Sequence, residues 1–439
     1  MPGSTLFKAG AAKIDITPPV GVWLDGIPRA QPSDAVRDPL HARALVVSGR
    51  GQSGAPETAC LVTCDLIGLG AGYARQVREA IGKALDVEVS RILIACSHDH
   101  SGPATIGYFS QPEKEYLLVL ADKLVQVCRQ AAAGMQPALL GTGQGQETSI
   151  SHYRRLWHRN GGIVMNWEEY PPEEILGPAE EGDPEVGVVR INALDGQTIA
   201  VVFNFACHPN SLTGDNFTIT ADFPGFAAGL VEAELGGVAL FTNGAQGSVD
   251  VEGFVDRDFY GIERRGRALG REVLRVCAGI APQPGPVVGA STVSFLLPYR
   301  RVRAQNLRWA EAVATTARAQ LVTLRDGISD EIMARMILEA ADKPESGIDF
   351  ELLGIRLGDA LLVGIPGELF TEIGRRVKAL SSTLRIFPVS LGNGSHGYLP
   401  TQKAIGEGGY GTQVASGAPF TENADDVICF GVERILHGN

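Results

Sequence analysis

Two histidines in the segment Ile92–Pro103 are the first residues of this chain whose types and spacing could do chemistry. His98 and His100 follow the apolar run Ile92–Cys96, which predicts a buried strand, and Gly102-Pro103 then forces a turn. Alternation along an extended chain points both imidazoles to one side, and imidazole is the commonest metal ligand. The pair therefore indicates a metal site at a strand end. Two loop histidines with satisfied hydrogen bonds are the alternative.

Four further motifs place polar side chains just beyond apolar strands. These motifs are His208-Pro209, the loop Asn243–Asp250, Pro366-Gly367-Glu368 and the segment Asn393–Tyr398. Side chains that follow several strand ends converge on one face of an α/β scaffold, where active sites are assembled. Each has a structural alternative: a buried histidine for His208, a solvated carboxylate for Glu368 and a packed aromatic for Tyr398. Together the motifs predict one shared site.

The elements that must position these side chains alternate between strand-like and helix-like patterns. The predicted strands are 42–48, 59–64, 92–96, 186–192, 199–207, 238–242, 350–357, 360–365 and 386–391. The predicted helices are 73–85, 113–133, 223–235, 259–278, 304–341, 371–380 and 425–436. Asp195-Gly196 and Gly358-Asp359 predict two hairpin turns. The sequence thus predicts an α/β fold of mixed β-sheets flanked by helices, in a single domain over residues 1–439.

The stretch 141–183 is polar, rich in glycine and acidic residues, and shows little periodicity, which predicts a long loop. It carries clustered basic and aromatic residues, among them Arg154, Arg155 and Trp157. Because a long loop in a compact domain is usually functional, we expect these three side chains to cover or line a substrate pocket. A solvated surface loop is the alternative.

Composition and charge narrow the classes of function. The chain has 439 residues, of which 44% are hydrophobic and 20% charged, as in ordinary globular enzymes. A net charge of −12 argues against nucleic acid or an anionic membrane surface as a partner. No run approaches the roughly 18 apolar residues of a transmembrane segment, and no secretory signal is visible. Seven cysteines without a CxxC pair indicate free thiols and a cytoplasmic location, whereas the oligomeric state is left open.

Taken together, these motifs resemble the neutral, non-lysosomal ceramidase superfamily of zinc amidohydrolases. The segments that carry the resemblance are Asp15–Pro18, Cys64-Asp65, Ser97–Pro103, Asn204–Pro209, Asn243–Gly247, Pro366–Glu368 and Asn393–Tyr398. They span most of the chain, which ends about one helix beyond Tyr398. The resemblance is therefore to the short bacterial branch that lacks the C-terminal immunoglobulin-like domain, and it implies a ceramidase-type catalytic domain.

The resemblance also implies a metal site and its surroundings. It implies Zn²⁺ as the cofactor, with the ligands His98, His208, Glu368 and Tyr398. Two imidazoles, a carboxylate and a phenol are a suitable set of donors for this ion. The resemblance places His100 beside the metal, as an outer-shell or substrate-binding group. It makes Arg154 a residue that binds a substrate carbonyl or carboxylate.

One departure from the family concerns the glycine loop, where ceramidases carry Gly-Asp-Val-Ser with the serine near the scissile amide. Here the loop is Gly247–Asp250, so Asp250 occupies the place of the serine. We expect Asp250 to act as general base toward a metal-activated water that attacks the carbonyl of a small amide substrate. Tyr398 or His100 would stabilise the developing oxyanion. The alternatives are hydrolysis of an ester or lactone at the same site, and a catalytically inactive module that binds metal or lipid.

Overall fold

The computed structural model describes residues 6–253, 255–316, 329–344 and 346–438. The strands are β1 (Lys8–Asp15), β2 (Ala35–Val36), β3 (His41–Arg50), β4 (Pro56–Cys64), β5 (Ile92–Cys96), β6 (Gln136–Gln146), β7 (His152–Tyr153), β8 (Arg155–His158), β9 (Gly162–Met165), β10 (Ile175–Pro178), β11 (Glu185–Ala193), β12 (Thr198–Phe205), β13 (Thr218–Ile219), β14 (Val238–Asn243), β15 (Val249–Asp250), β16 (Val288–Leu297), β17 (Ile348–Leu357), β18 (Ala360–Ile365), β19 (Glu368–Leu369), β20 (Arg385–Ser390) and β21 (Tyr398–Leu399). The α-helices are α1 (Ala71–Leu85), α2 (Lys114–Ala133), α3 (Asp222–Leu235), α4 (Phe259–Ala278), α5 (Ala304–Thr315), α6 (Asp330–Ala341), α7 (Thr371–Lys378), α8 (Gln402–Glu407) and α9 (Ala424–His437).

Two mixed sheets form the centre of the described structure. The larger has eight strands in the order β14-β12-β11-β6-β1-β3-β4-β5, and the smaller has four in the order β16-β17-β18-β20. The pairs β4–β5, β12–β14 and β18–β20 are parallel, whereas the other neighbours in these sheets are antiparallel. The predicted α/β fold of mixed sheets is therefore confirmed.

The two sheets pack face to face, and helices cover their outer faces. Apolar side chains from both sheets meet between them, including Leu93, Val202, Leu353 and Phe387. Helices α1 and α2 pack on one half of the larger sheet, and α3 and α4 on the other half. Helices α7 and α9 pack on the smaller sheet. The result is a four-layer arrangement of helix, sheet, sheet and helix around apolar cores.

Parallel strands matter here because their carboxyl ends lie at the same edge of a sheet. The larger sheet is curled, so that Asn243 at the end of β14 donates its Nδ2 to Ser97 O, just beyond β5, at 2.8 Å. Asn393 follows β20 of the smaller sheet, and its side-chain and main-chain groups both bond to Ile94 of β5 at 2.8 and 2.7 Å. These two asparagines therefore hold strand ends from both sheets together at one edge of the molecule.

Most predicted elements are present with ends shifted by a few residues, and both predicted hairpins, β11–β12 and β17–β18, are confirmed. The prediction of a loop over 141–183 is wrong, because β6 continues to residue 146 and β7 to β10 follow it. Helix α4 and the residues after it lie close to β6: a Cβ at Gly143 would be 2.9 Å from Val276 of α4, and one at Gly141 would be 2.5 Å from Ile280. Glycine therefore stands where a strand pattern would show apolar residues.

Two further differences concern strands and helices outside that stretch. Among the longer strands outside it, β1 and β16 were not predicted, because small and polar residues interrupt their apolar alternation. The helical prediction over 304–341 corresponds to α5 and α6, and its middle part, 317–328, lies outside the described residues. Among the described helices, none is long and apolar enough to cross a membrane. The single domain over 1–439 stays a prediction.

Candidate metal centre

Three imidazoles from two strand ends meet inside this edge of the molecule. His98 and His100 follow β5, and His208 follows β12, and all three are buried. The His98 ring centroid lies 4.8 Å from that of His100 and 4.7 Å from that of His208. Their ligand nitrogens lie within 4.8 Å of one another, which makes them a group that could hold a metal ion. No other such group of His, Cys, Asp and Glu occurs in the part of the chain that the structure describes.

The two histidines after β5 converge for a reason other than strand alternation. The strand ends at Cys96, so neither histidine belongs to it. His98 has a φ of 70°, in the left-handed region that a residue with a side chain rarely adopts. Its backbone nitrogen donates to Leu66 O at 2.9 Å, which holds the turn. The expected convergence is present, but a strained turn produces it.

Backbone carbonyls fix the tautomers of two of the histidines. His98 Nδ1 lies 2.8 Å from Ile67 O, and His208 Nδ1 lies 2.8 Å from Gln246 O and 3.0 Å from Val249 O. Since a carbonyl oxygen only accepts, Nδ1 carries the proton in both rings and Nε2 is left with a lone pair. Metal-binding histidines in proteins are oriented by such contacts.

The other groups of the cluster that could bind a metal ion, His100 and Glu368, have few hydrogen-bond partners in the protein. His100 leaves both ring nitrogens buried without a hydrogen-bond partner. Glu368 Oε2 lies 3.3 Å from His98 Nε2 and 3.2 Å from His208 Nε2. Because buried polar atoms are almost always satisfied, orphaned nitrogens next to a carboxylate fit a site for a cation. Imidazole nitrogen and carboxylate oxygen are donors that suit a transition-metal ion.

Burial and neighbouring groups shift the pKa values of His100, His208 and Glu368. Burial lowers the pKa of His100 well below its usual range, and the neighbouring His98 and His208 lower it further. Burial and the Arg154 guanidinium lower the pKa of His208. Burial alone would raise the pKa of Glu368, but the two adjacent histidines outweigh it and hold that pKa well below its usual range. Neutral imidazoles and an ionised carboxylate are the forms that bind metal.

Glu368 and Tyr398 reach the cluster on two short paired strands. They are direct register partners in the parallel pair β19–β21. The Tyr398 ring lies nearly parallel to that of His208, with their centroids 6.5 Å apart. Burial raises the pKa of Tyr398 well above its usual value, although the Arg154 guanidinium opposes this. The phenol is therefore protonated at neutral pH in the protein alone, and its O–H group is a hydrogen-bond donor.

Arg154 lies beside the cluster, directly after β7. Its Nη2 donates to Gly247 O at 2.6 Å, and its Nη1 lies 3.4 Å from His208 Nε2. Its guanidinium carbon lies 5.2 to 5.6 Å from the ring centroids of Trp167, Tyr398 and Tyr410. The guanidinium is therefore held by a carbonyl and by aromatic faces, and its charge is fixed next to the imidazoles.

A cavity of about 340 Å³ opens onto the cluster. Its polar lining includes His98, His100, His208, Glu368, Tyr398, Arg154, Asn210, Asp250 and Arg257. Its apolar lining includes Ile27, Pro28, Phe109, Leu212 and Met336. All seven site residues predicted from the sequence therefore line one cavity. Its volume falls within the range of small-molecule sites in proteins.

The prediction that Arg154, Arg155 and Trp157 all line the pocket is right only for the first. Arg155 is fully buried and donates to Gly408 O at 2.8 Å. Its guanidinium therefore binds groups inside the protein and does not line the cavity. Trp157 is not among the residues that line the cavity, whereas Trp167 is. Arg154 precedes β8, and Arg155 is the next residue along an extended chain, so their side chains point to opposite sides.

Asp250 is fully buried and lines the cavity. Its Oδ2 accepts from Asn210 Nδ2 at 3.0 Å, and its Oδ1 accepts from Val251 N at 2.7 Å. Arg257 Nη2 lies 3.9 Å from Oδ1. The carboxylate therefore stabilises its own loop and also faces the space in which a substrate would lie.

Ser248, the serine of the same loop, is directed away from the cavity. Its Oγ donates toward Thr371 Oγ1 and Glu372 Oε2, at 3.0 and 3.1 Å, and accepts from Thr371 N at 2.9 Å. These contacts tie the loop to the start of α7. A nucleophilic role for Ser248 does not fit this position, which leaves Asp250 as the carboxylate of the loop that faces the cavity.

These features define an α/β protein with three buried imidazoles and a carboxylate at the wall of a cavity. Residues 7–254, more than half of the chain, match the family described as neutral/alkaline non-lysosomal ceramidase, N-terminal. The chain belongs to this family.

Curated relatives agree with the family assignment over parts of their length. The chain is 26% identical over 175 residues to neutral ceramidase A of Dictyostelium discoideum, which covers 37% of this chain and 22% of that protein. It is 26% identical over 215 residues to a neutral ceramidase of Mycobacterium tuberculosis, which covers 43% of this chain and 32% of that protein. The matched segments thus span less than a third of the length of these relatives.

Solved structures agree over nearly the whole chain. The crystal structure of neutral ceramidase from Pseudomonas aeruginosa matches 99% of this chain and 75% of that chain, with a TM-score of 0.72 and 17% identity. A second structure, described as a ceramidase complexed with C2, matches 98% of this chain and 75% of that chain, with a TM-score of 0.73 and 18% identity. The predicted ceramidase-type fold is confirmed.

Proposed function

We propose that this chain is a zinc-dependent hydrolase that cleaves an amide bond of a small N-acyl substrate. The observation that carries the proposal is the cluster of His98, His100, His208 and Glu368 at the cavity wall, with its fixed tautomers and unpartnered nitrogens. Membership of a family whose named relatives are ceramidases supports amide hydrolysis as the reaction.

Zn²⁺ suits the donors that the cavity offers. We assign His98, His208 and Glu368 as ligands, with Tyr398 as the fourth and His100 beside the ion. Imidazole nitrogen and carboxylate oxygen are common zinc ligands, and three of the four assigned residues provide them. When bound, the ion would supply a Lewis acid that polarises the substrate carbonyl and activates a water molecule.

The protein groups around the ion have separate roles in this proposal. Asp250 takes a proton from the attacking water, because its carboxylate faces the cavity and is held by Asn210 and Val251. Arg154 binds a carbonyl or carboxylate group of the substrate, and its hydrogen bond to Gly247 O fixes the position of its guanidinium. His100 stabilises the oxyanion by donating a hydrogen bond, and the protonated phenol of Tyr398 would take this role only if it does not bind the ion. The apolar lining of the cavity would hold an acyl group and exclude water.

The test uses the purified full chain and measures metal content and turnover together. Elemental analysis should find about one zinc per chain. A panel of N-acyl amides, each with its matched ester and with lactones, is assayed before chelation, after chelation and after zinc is added back. Amide hydrolysis should disappear with the chelator and return with zinc.

The other outcomes decide between the alternatives. Turnover of esters or lactones without turnover of amides would show that the chain is an ester or lactone hydrolase and would contradict amide hydrolysis. Bound zinc with no turnover of any substrate would leave a metal-binding module. A protein without any transition metal would contradict the metal site itself.

A cytoplasmic location is part of the same proposal. All seven cysteines are free and buried, which supports folding in a reducing compartment. Fractionation of cells that express the chain at its natural level should place it with the cytoplasmic proteins, and recovery with secreted or membrane fractions would contradict this.

A further inference from the structure

We propose that Tyr108 is a positioning residue of the metal centre, which holds the Glu368 carboxylate in the orientation that faces the histidines. We further infer that Asp25 acts through Tyr108, by fixing the loop that carries it. Neither residue emerged from the sequence motifs. The inference rests on the metal site of the proposed function and deepens it.

The contacts of the Tyr108 hydroxyl show how it acts on the carboxylate. Its oxygen lies 3.1 Å from Glu368 Oε1 and 2.7 Å from Ser395 Oγ. An ionised carboxylate only accepts, so Tyr108 gives its single proton to Glu368 and Ser395 donates to Tyr108. Oε1 is thereby occupied by the phenol, while Oε2 lies against the two imidazoles.

This contact matters because the last torsion of a glutamate is soft. Rotation of the carboxylate has a broad energy profile, unlike the staggered torsions of the aliphatic part. For one carboxylate oxygen to face two imidazoles, a contact to the other oxygen must hold the carboxylate plane in one orientation. Within the described residues, the Tyr108 hydroxyl is the side-chain group that donates to Oε1 of Glu368. Outer-shell partners of this kind tune metal affinity.

Asp25 holds the loop of residues 107–109 in place through hydrogen bonds to its backbone. This fully buried carboxylate accepts from Gly107 N and Tyr108 N on Oδ2, at 3.0 and 2.9 Å. It accepts from Phe109 N and Gly26 N on Oδ1, at 2.8 and 3.0 Å. Four backbone donors on one carboxylate are a strong constraint, because charge-assisted hydrogen bonds are about twice as strong as neutral ones.

The same short segment also touches a histidine of the cluster. Gly26 has a φ of +93°, and a Cβ there would lie 2.6 Å from His100 Cγ. Only glycine therefore fits between Asp25 and the imidazole. Residues 25 and 26 thus contact the metal centre on two sides, through the ring of His100 and through the loop of Tyr108.

Zinc affinity is the measurement that separates positioning from simple packing. The metal-free full chain is titrated with Zn²⁺ in competition with a chelator of known affinity. Tyr108→Phe removes one hydroxyl and should raise the Kd for zinc about 10–100-fold. Tyr116→Phe is the matched control, because its hydroxyl also donates to a protein group, Ile16 O at 2.8 Å, away from the cluster. Its Kd should stay within about threefold of the wild type.

A double-mutant cycle tests whether Asp25 acts through Tyr108. Asp25→Asn loses the second acceptor oxygen, keeps the phenol, and should also raise the Kd. If Asp25 and Tyr108 act on Glu368 through one contact, the double variant should have the same Kd for zinc as Tyr108→Phe alone. Additive losses would overturn the inference that Asp25 acts through Tyr108.

The outcomes also separate this inference from the proposed function. Tight zinc binding by the wild type together with unchanged affinity in Tyr108→Phe would overturn the positioning role alone. A wild type that binds no zinc would overturn the metal site on which the inference rests.

Discussion

The backbone of His98 shows how much of the site depends on single residues. Its left-handed conformation, with φ at 70°, carries a strain on the order of 1–3 kcal/mol. Bonds from its backbone to Leu66 O and from its ring to Ile67 O offset this strain. In this conformation the His98 ring lies 4.7 Å from the ring of His208, measured between centroids. Strain of this kind is typical of functional sites.

The first prediction concerns the metal ligands. His208→Ala should lower zinc affinity by more than the 10–100-fold that follows loss of an outer-shell partner, because it removes a donor itself. Hydrolysis should be lost with the metal. The control is His158→Ala, since His158 pairs with Glu174 at 2.8 Å outside the cavity. Elemental analysis and chelator competition measure both. Full zinc content in His208→Ala would show that the ligand assignment is wrong.

The second prediction concerns the general base. Asp250→Asn should lose about 10²–10⁴ in kcat while zinc stays bound, because an amide cannot take a proton from water. The competing role is stabilisation of the loop, and an amide oxygen can still accept from Val251 N. Near wild-type kcat would therefore leave Asp250 with the structural role alone. The exposed Asp349 supplies the control, since Asp349→Asn should change neither kcat nor zinc content.

At the scale of elements, the parts of the site that follow regular strands were visible in the sequence. The ends of β5 and β12 could be predicted because apolar runs mark buried strands, and His98 and His208 follow them directly. The pair β19–β21 could not, since a strand of two residues has no period and depends on tertiary contacts. Its chemistry was nevertheless found, because Glu368 and Tyr398 lie in motifs that resemble a family.

The residues that were missed depend on loops that only the fold brings together. Asp25 reaches the site through backbone amides more than 80 positions away in the sequence. Trp167 lies in a stretch whose short strands are hard to recognise in the sequence, because glycine and polar residues interrupt their alternation. His396, in contrast, lies in a predicted motif but contacts Phe350 and Phe420, and burial lowers its pKa to about 4. Sequence motifs thus locate strand ends better than they assign the residues in them.

The third prediction concerns the attachment of α3 to the larger sheet. Glu232 on α3 binds Lys13 Nζ at 2.5 Å, Arg43 Nε at 3.3 Å and Ala239 N at 3.1 Å. Burial would raise the pKa of Glu232, but Arg43 and Lys13 outweigh it and lower that pKa below its usual value. Glu232→Gln should therefore lower the free energy of unfolding at pH 7 by about 1.5–3 kcal/mol.

The pH dependence of this difference has a definite sign. A carboxyl whose pKa is lower in the folded protein contributes stability above its unfolded pKa of about 4.3. That contribution disappears as the pH falls through the folded value. Wild type and Glu232→Gln should thus converge in urea unfolding below about pH 4. The exposed Glu234 on the same helix is the control, with less than about 0.5 kcal/mol expected for Glu234→Gln. A difference that is constant with pH would contradict the role of the charge.

At the scale of the whole molecule, the candidate metal centre joins the two sheets. His98 and His208 follow strands of the larger sheet, whereas Glu368 and Tyr398 lie on the short pair β19–β21, which follows β18 and β20 of the smaller sheet. Asn393 adds a direct bond from the smaller sheet to β5. The sheets also share one apolar core, to which Leu93 and Phe387 belong. Binding of an ion at this junction should therefore stabilise both sheets together.

The last prediction tests this coupling and the single-domain prediction at once. Zinc at a hundred times its Kd should stabilise the folded chain by about 2.7 kcal/mol, provided that the unfolded chain does not bind it. Because the ligands lie on segments that follow strands of both sheets, calorimetry should show one unfolding transition that moves to higher temperature as a whole. His208→Ala should lose this shift, and His158→Ala should keep it. Two transitions, of which zinc moves only one, would mean that the sheets unfold separately and that residues 1–439 are not one domain.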